Sequence, residues 1–172
     1  ETYQYSINLT GVSFTHNRAV GLDAGSNEGG AVCLRNASIL IVNSNFSKNS
    51  ATGDSGALKI EESDVTIQSS IFSNNFAGGD GGVFHTLVYP STYSVSLTTF
   101  TNNMAGGSGG AIYVGTANSQ VTIDQSTFSF NKAPSRGGAI SVAGSTLKLT
   151  KTSIYSNTAR YGGVASACKS SV

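Results

Sequence analysis

Apolar and polar residues alternate along this chain in short runs, and the runs recur. In Gly109-Gly110-Ala111-Ile112-Tyr113-Val114, Ile112 and Val114 are separated by one residue, the period of two expected of a strand with one buried face. The same pairing recurs as Val32 with Leu34, Leu58 with Ile60, Phe84 with Thr86, Ile140 with Val142 and Ala165 with Ala167. A second alternating run follows each: Ile39 and Ile41, Val65 and Ile67, Val95 and Leu97, Val121 and Ile123, Leu147 and Leu149. Each pair predicts an inward-facing stack, and no helical periodicity competes with it.

Between the second run and the next Gly-Gly pair lies a phrase that occurs six times, an aromatic or aliphatic residue, two variable residues, then Asn-x-Ala. It runs from Phe14 to Ala19, Phe46 to Ala51, Phe72 to Ala77, Phe100 to Ala105, Phe128 to Ala133 and Ile154 to Ala159. The phrase-to-phrase spacings are 32, 26, 28, 28 and 26 residues. A unit of this length is too short for a propeller blade and fits one turn of a three-sided parallel β-helix. Phe14, Phe46, Phe72, Phe100, Phe128 and Ile154 are then expected to stack in the core. Asn17, Asn49, Asn75, Asn103, Asn131 and Asn157 are expected at a corner, where amide donors and acceptors bond along the stack and where Asn tolerates left-handed backbone angles. Two insertions, between Val20 and Asn27 and from Leu87 to Tyr93 with Tyr89 and Pro90, read as loops outside the coil. The whole chain, 1–172, reads as a single all-β solenoid domain of about six rungs of 26 to 28 residues.

Composition narrows the function. Only 11% of residues are charged and the formal net charge is +1, which gives no overall electrostatic footprint for nucleic acid or an anionic membrane. Hydrophobic residues make up 38%, so a packed core under a Ser, Thr and Asn surface is expected. No apolar run approaches the length of a membrane span, so no membrane insertion is expected. The chain starts at Glu1, so either a leader has been removed or this is a segment of a longer β-helix. Three sequons, at Asn8, Asn36 and Asn45, would be glycosylation sites in a eukaryotic secreted protein.

The paired motifs Phe100-Thr101-Asn102-Asn103 with Gly109-Gly110-Ala111-Ile112, and Phe128 to Asn131 with Gly137-Gly138-Ala139-Ile140, resemble the repeats of chlamydial polymorphic membrane proteins. The resemblance covers nearly the whole chain, with departures at Ser55-Gly56-Ala57-Leu58, Val83-Phe84, Ile154 and Val164-Ala165. It implies a right-handed, single-stranded parallel β-helix displayed outside the cell or on its surface, often in adhesion. Corner and core residues make the motif, so it specifies fold better than function.

Catalysis on a polysaccharide by such a coil needs clustered carboxylates on an outward strand face. One outward column reads Cys33, Lys59, His85, Tyr113, Ser141 and Ser166, the next Arg35, Glu61, Leu87, Gly115, Ala143 and Cys168. Glu61 is the single carboxylate there, and Glu61, Glu62 and Asp64 form the one local acidic group evident in the chain. Lys59, His85 and Tyr113 make a polar cluster in successive rungs, read as a mixed surface column. His16 and His85 lack matching Cys or carboxylate spacing for a metal, and no cofactor is expected. The outward residues Leu40, Thr66, Ser96, Thr122 and Lys148 are too irregular for an ice-binding array.

Residues 2–14 read as the second strand of a rung, with Tyr3, Tyr5, Ile7 and Leu9 alternating, and residues 162–172 as the first strand of another. Both ends therefore read as uncapped. Cys33 and Cys168, roughly 24 Å apart at the strand spacing, should not bridge within one chain, but across a stacked junction they approach to about 8 Å, where a slight slip would form an intersubunit disulfide. The leading expectation is a non-enzymatic subunit of an extracellular fibre or surface appendage, a homopolymer stacking head to tail on copies of itself. The alternatives are an adhesin segment that binds host or carbohydrate ligands and, behind it, a polysaccharide lyase or hydrolase.

Overall fold

The computed structural model describes residues 5–21, 29–86 and 90–168, and every regular element among them is a strand or bridge. Each coil visits four parallel sheets in turn. The first sheet holds Val32–Arg35, Leu58–Glu61, Phe84–Thr86, Ile112–Val114, Ile140–Ala143 and Ala165–Cys168. The second holds Tyr5–Thr10, Ala37–Val42, Asp64–Gln68, Thr92–Ser96, Gln120–Asp124 and Thr146–Thr150. The third carries the recurring Phe, in Ser13–Thr15, Asn45–Ser47, Ile71–Ser73, Thr99–Thr101, Thr127–Ser129 and Ser153–Tyr155. A short fourth sheet, Arg18–Ala19, Ser50–Ala51, Phe76–Ala77 and Met104–Ala105, is prolonged by bridges through Lys132 to Thr158. Strands pair with their equivalents one coil away, so the six-stranded sheets enclose five complete turns of a parallel β-solenoid.

The phrase that the period places on one short side in fact occupies two strands with the Asn between them. Phe46, Phe72, Phe100 and Phe128 are fully buried and their rings stack face to face, with centroids 4.5–5.0 Å apart and planes within 10°. Phe14 continues the stack at 4.8 Å, and Phe14 and Ile154 are half-buried at its ends. Burying each central ring contributes roughly 2–3 kcal/mol, so the stack is a principal source of stability.

The third coil departs from the predicted pattern. Its second-sheet strand buries Tyr93 and Val95, which pair with Val65 and Ile67, rather than Val95 and Leu97. Tyr93 is 1% exposed and stacks on Phe84 at 5.7 Å, so it is core and not part of an external loop. Leu97 lies at the next corner with φ +51° and is half exposed, and Ser94 replaces Ser96 in the outward column. The reason is register: seven residues separate the strand's first inward position from the core Phe in each of Val65 to Phe72, Tyr93 to Phe100 and Val121 to Phe128, so stacking the Phe residues brings Tyr93 inward. Tyr3, residues 22–28 and residues 87–89, which carry most of the two predicted insertions, lie outside the described residues.

Gly110 shows why the turn into the first sheet takes glycine. A Cβ there would collide with the Gly138 carbonyl oxygen and the backbone of Lys132 in the adjacent coil, and its predecessor Gly109 has φ +66°.

Candidate functional site

The chemistry of the coil begins at its corners. At the corner between third and fourth sheets, the Asn17 Nδ2 donates to Asn49 Oδ1 at 2.9 Å, and the chain of donors continues through Asn75, Asn103 and Asn131 to Asn157 at 2.9–3.1 Å. Each amide oxygen also accepts the backbone N–H of the preceding Asn, at 2.9–3.1 Å. The second Nδ2 hydrogen reaches back to a Phe carbonyl, as from Asn75 to Phe46 and from Asn103 to Phe72. The ladder Asn residues do not hold left-handed angles. Those belong to the residue before each: His16, Lys48, Asn74, Asn102, Phe130 and Ser156, with φ between +54° and +58° where the sequence assigned them to the Asn. The buried Asn bridges coils with its side chain while the exposed neighbour makes the bend.

Two hydroxyl ladders, not anticipated from the sequence, serve other corners. Ser44, Ser70 and Thr98 each donate a backbone N–H to the hydroxyl one coil on, ending at Ser126. Ser63, Ser91 and Ser119 do the same, ending at Ser145. A Ser or Thr two residues before the Phe, present in every coil but the first, was the available signal for one of them.

The turn between fourth and first sheets is chemically richer. Its column reads Asp54, Asp80, Ser108, Arg136 and Tyr161. The Asp80 N–H donates to Asp54 Oδ1 at 2.6 Å, and the Ser108 N–H donates to Asp80 Oδ1 at 2.5 Å. Both acids border the first-sheet column of Lys59, His85 and Tyr113, whose register is as predicted. His85 is not solvated. It is 4% exposed, its Nδ1 lies 3.5 Å from Asp54 Oδ2, and its ring stacks on Tyr113 at 5.1 Å. Burial holds the Asp80 carboxyl above its usual range, opposed by the Ser108 N–H and by His85 and reinforced by Asp54. Asp54 and Asp80 therefore form a second local acidic group, assembled across coils, which chain proximity concealed. A carboxylate oriented on an imidazole is an acid–base pair in principle, but this imidazole is covered and offers little access to a substrate. Ser141 in the same column is also buried, while Arg35 and Lys59 pair with Glu61 and Glu62 at 3.1–3.9 Å.

Two segments match one family model, described as the Chlamydia polymorphic membrane protein repeat: residues 69–87 and 97–115. Each contains one Phe strand, one Asn corner, the Gly-Gly turn and the first-sheet strand. Over these two segments the chain is similar to polymorphic membrane protein repeats. No curated protein and no solved structure matches it.

Around these repeats the other predicted residues are dispersed. Cys33 is exposed on the strand at one edge of the first sheet, and the strand Ala165–Cys168 forms the opposite edge of that sheet. Asn8 is exposed and accepts a hydrogen bond from the Thr10 hydroxyl, Asn36 is exposed at a bend with φ +52°, and Asn45 is half-buried with Nδ2 near Ser13 Oγ. Among the described residues, no three His, Cys, Asp or Glu are placed to hold a metal, and no helix is long and apolar enough to cross a membrane.

Proposed function

We propose that this polymorphic-membrane-protein-type coil is a non-enzymatic structural rod of a surface-displayed protein, lengthened by stacking on further coils of the same kind contributed by copies of itself. One observation carries this reading: every coil presents the same acceptors on one edge that the next coil's donors require. The Asn and backbone ladders repeat at each interface described and the hydroxyl ladders at the central ones, so one coil's edge is complementary to another's irrespective of which chain supplies it. The covered His85 and the pairing of Glu61 with Lys59 and Arg35 favour a structural over a catalytic role for the first-sheet face. The repeat's family name favours display at a membrane surface.

Electron microscopy of the purified chain at rising concentration tests the stacking. Filaments with an axial period of about 29 Å, six rungs at the strand spacing, are the expected result. Monodisperse particles at every concentration would overturn self-stacking.

A further inference from the structure

The near-zero net charge conceals a segregation along the rod. Residues 1–86 hold four cations and eight acids, whereas residues 125–168 hold five cations, Lys132, Arg136, Lys148, Lys151 and Arg160, and no acid. Of the four early cations, Arg35 and Lys59 are tied up with Glu61 and Glu62. None of the five later cations makes an ion pair among the described residues.

Three of the five share one side of the last two coils. Lys132 prolongs the fourth sheet between Met104 and Thr158, and Arg136 pairs with Tyr161 across the next coil. Arg160 lays its guanidinium over the Tyr161 ring at 5.3 Å. Interleaved with them are exposed aromatic rings: Phe130, 55% exposed, meets Tyr155 edge to face at 5.9 Å, and Tyr161 is equally exposed. Phe130 stands at the left-handed bend that other coils give to polar residues, so neither core packing nor local geometry calls for an aromatic there. From Phe130 to Arg136 the patch spans at most about 20 Å.

We infer that this face binds an acidic polysaccharide. Guanidinium groups match carboxylate and sulfate oxygens in bidentate geometry, and exposed aromatic rings cover the C–H faces of sugar rings. Nucleic acid fits less well: stacked bases need exposed parallel ring faces, but Phe130 and Tyr155 are perpendicular and Arg160 covers one face of Tyr161. Asp54 and Asp80, in the same turn column as Arg136 but in earlier coils, would repel an anionic chain and confine it to the last two coils. The inference rests on the surface-display reading for access to such a polymer, but not on filament formation.

The test uses heparin as a sulfated probe, titrated into the whole chain at low salt by calorimetry. Polygalacturonate, neutral dextran, oligo-dT and phosphatidylserine vesicles run as parallel arms, and circular dichroism checks the fold of every variant. Heparin and polygalacturonate are expected to bind and to weaken as salt rises. The triple variant Lys132→Gln/Arg136→Gln/Arg160→Gln is expected to lose at least about tenfold in heparin affinity, one charge-assisted contact's worth, while Lys148→Gln/Lys151→Gln changes it less than about twofold. Equal losses in the two variants would reduce the effect to net charge and overturn the site. So would absence of heparin binding by the folded chain, equal binding to dextran, or tighter binding to oligo-dT or the vesicles. Filament formation is scored separately, so a failed titration beside intact filaments sinks the ligand and leaves the rod.

Discussion

The two corners that flank the fourth sheet have the same backbone task and opposite chemistry. At the Asn corner, one residue type repeats six times, and Asn49, Asn75, Asn103 and Asn131 are buried and bonded to both neighbouring coils. At the Gly-Gly corner, backbone carbonyls of the next coil take the N–H groups of the turn. At the position before it a side chain adds an inter-coil hydrogen bond, among the described residues, only at Asp54 and Asp80, so that position varies from those two through Ser108 to Arg136 and Tyr161. Where a side chain completes the inter-coil hydrogen bonding, sequence is fixed by stability. Where the backbone carries most of it, the side chain is freer for other chemistry: the Asp–His cluster lies there, as do Arg136, Arg160 and Tyr161 of the basic face, whose other rings, Phe130 and Tyr155, lie across the fourth sheet.

Substitutions at the two corners should differ accordingly. Asn103→Ala removes the acceptor for Asn75 and the donors to Phe72 and Asn131, leaving several buried groups unpaired. A loss of about 3–5 kcal/mol is expected from urea unfolding. A loss under about 1 kcal/mol would erase the distinction between the corners.

A smaller effect is expected from Asp80→Asn. Because the folded state raises the Asp80 carboxyl above 3.8, the native chain holds that proton more tightly than the unfolded chain. Its contribution to stability is therefore greatest below the ordinary carboxylate value and falls as pH rises through the elevated one. Asn carries no such titration, so the unfolding free energy from urea titrations should lose that part of its pH dependence and change by less than about 1 kcal/mol at neutral pH. A steeper profile in the variant would show that His85 and Ser108 outweigh burial.

The smallest change is expected at Arg136→Ser, which gives the fifth coil the polar residue type found at Ser108. Thermal unfolding should register no more than about 0.5 kcal/mol, because the side chain is exposed and makes no ion pair among the described residues. A larger loss would mean that this column, too, holds the coils together.

The coil was legible in the sequence because its determinants are local and periodic: Phe72 and Asn75 lie three residues apart, and the alternation of Ile112 with Val114 declares a buried face. Tyr93 was misplaced because alternation alone also fits Val95 with Leu97, whereas the constant seven residues from the strand's first inward position to the core Phe, as from Val65 to Phe72, select Tyr93. The hydroxyl ladders escaped because Ser is common throughout the chain and an exposed Ser looks like a bonded one. Asp54 and Asp80 meet His85 only after the coils close. They are 31 and 5 residues from it in the chain, and no motif spacing joins them. The predicted column of Lys59, His85 and Tyr113 had the right register, but its burial depended on the turn that covers it.

The in-register Phe stack also sets the grain in which such a molecule is able to change length. Phe100 and Phe128 are equivalent positions 28 residues apart, each contacting its neighbour through the same ring face and the same Asn. Excising the residues from one to just before the other would bring Phe72 against Phe128 and Asn75 against Asn131, restoring every kind of contact that was cut. Deleting a single strand residue instead would turn its successors inside out. Length is thus quantised in whole coils, and a large deletion is geometrically gentler than a small one.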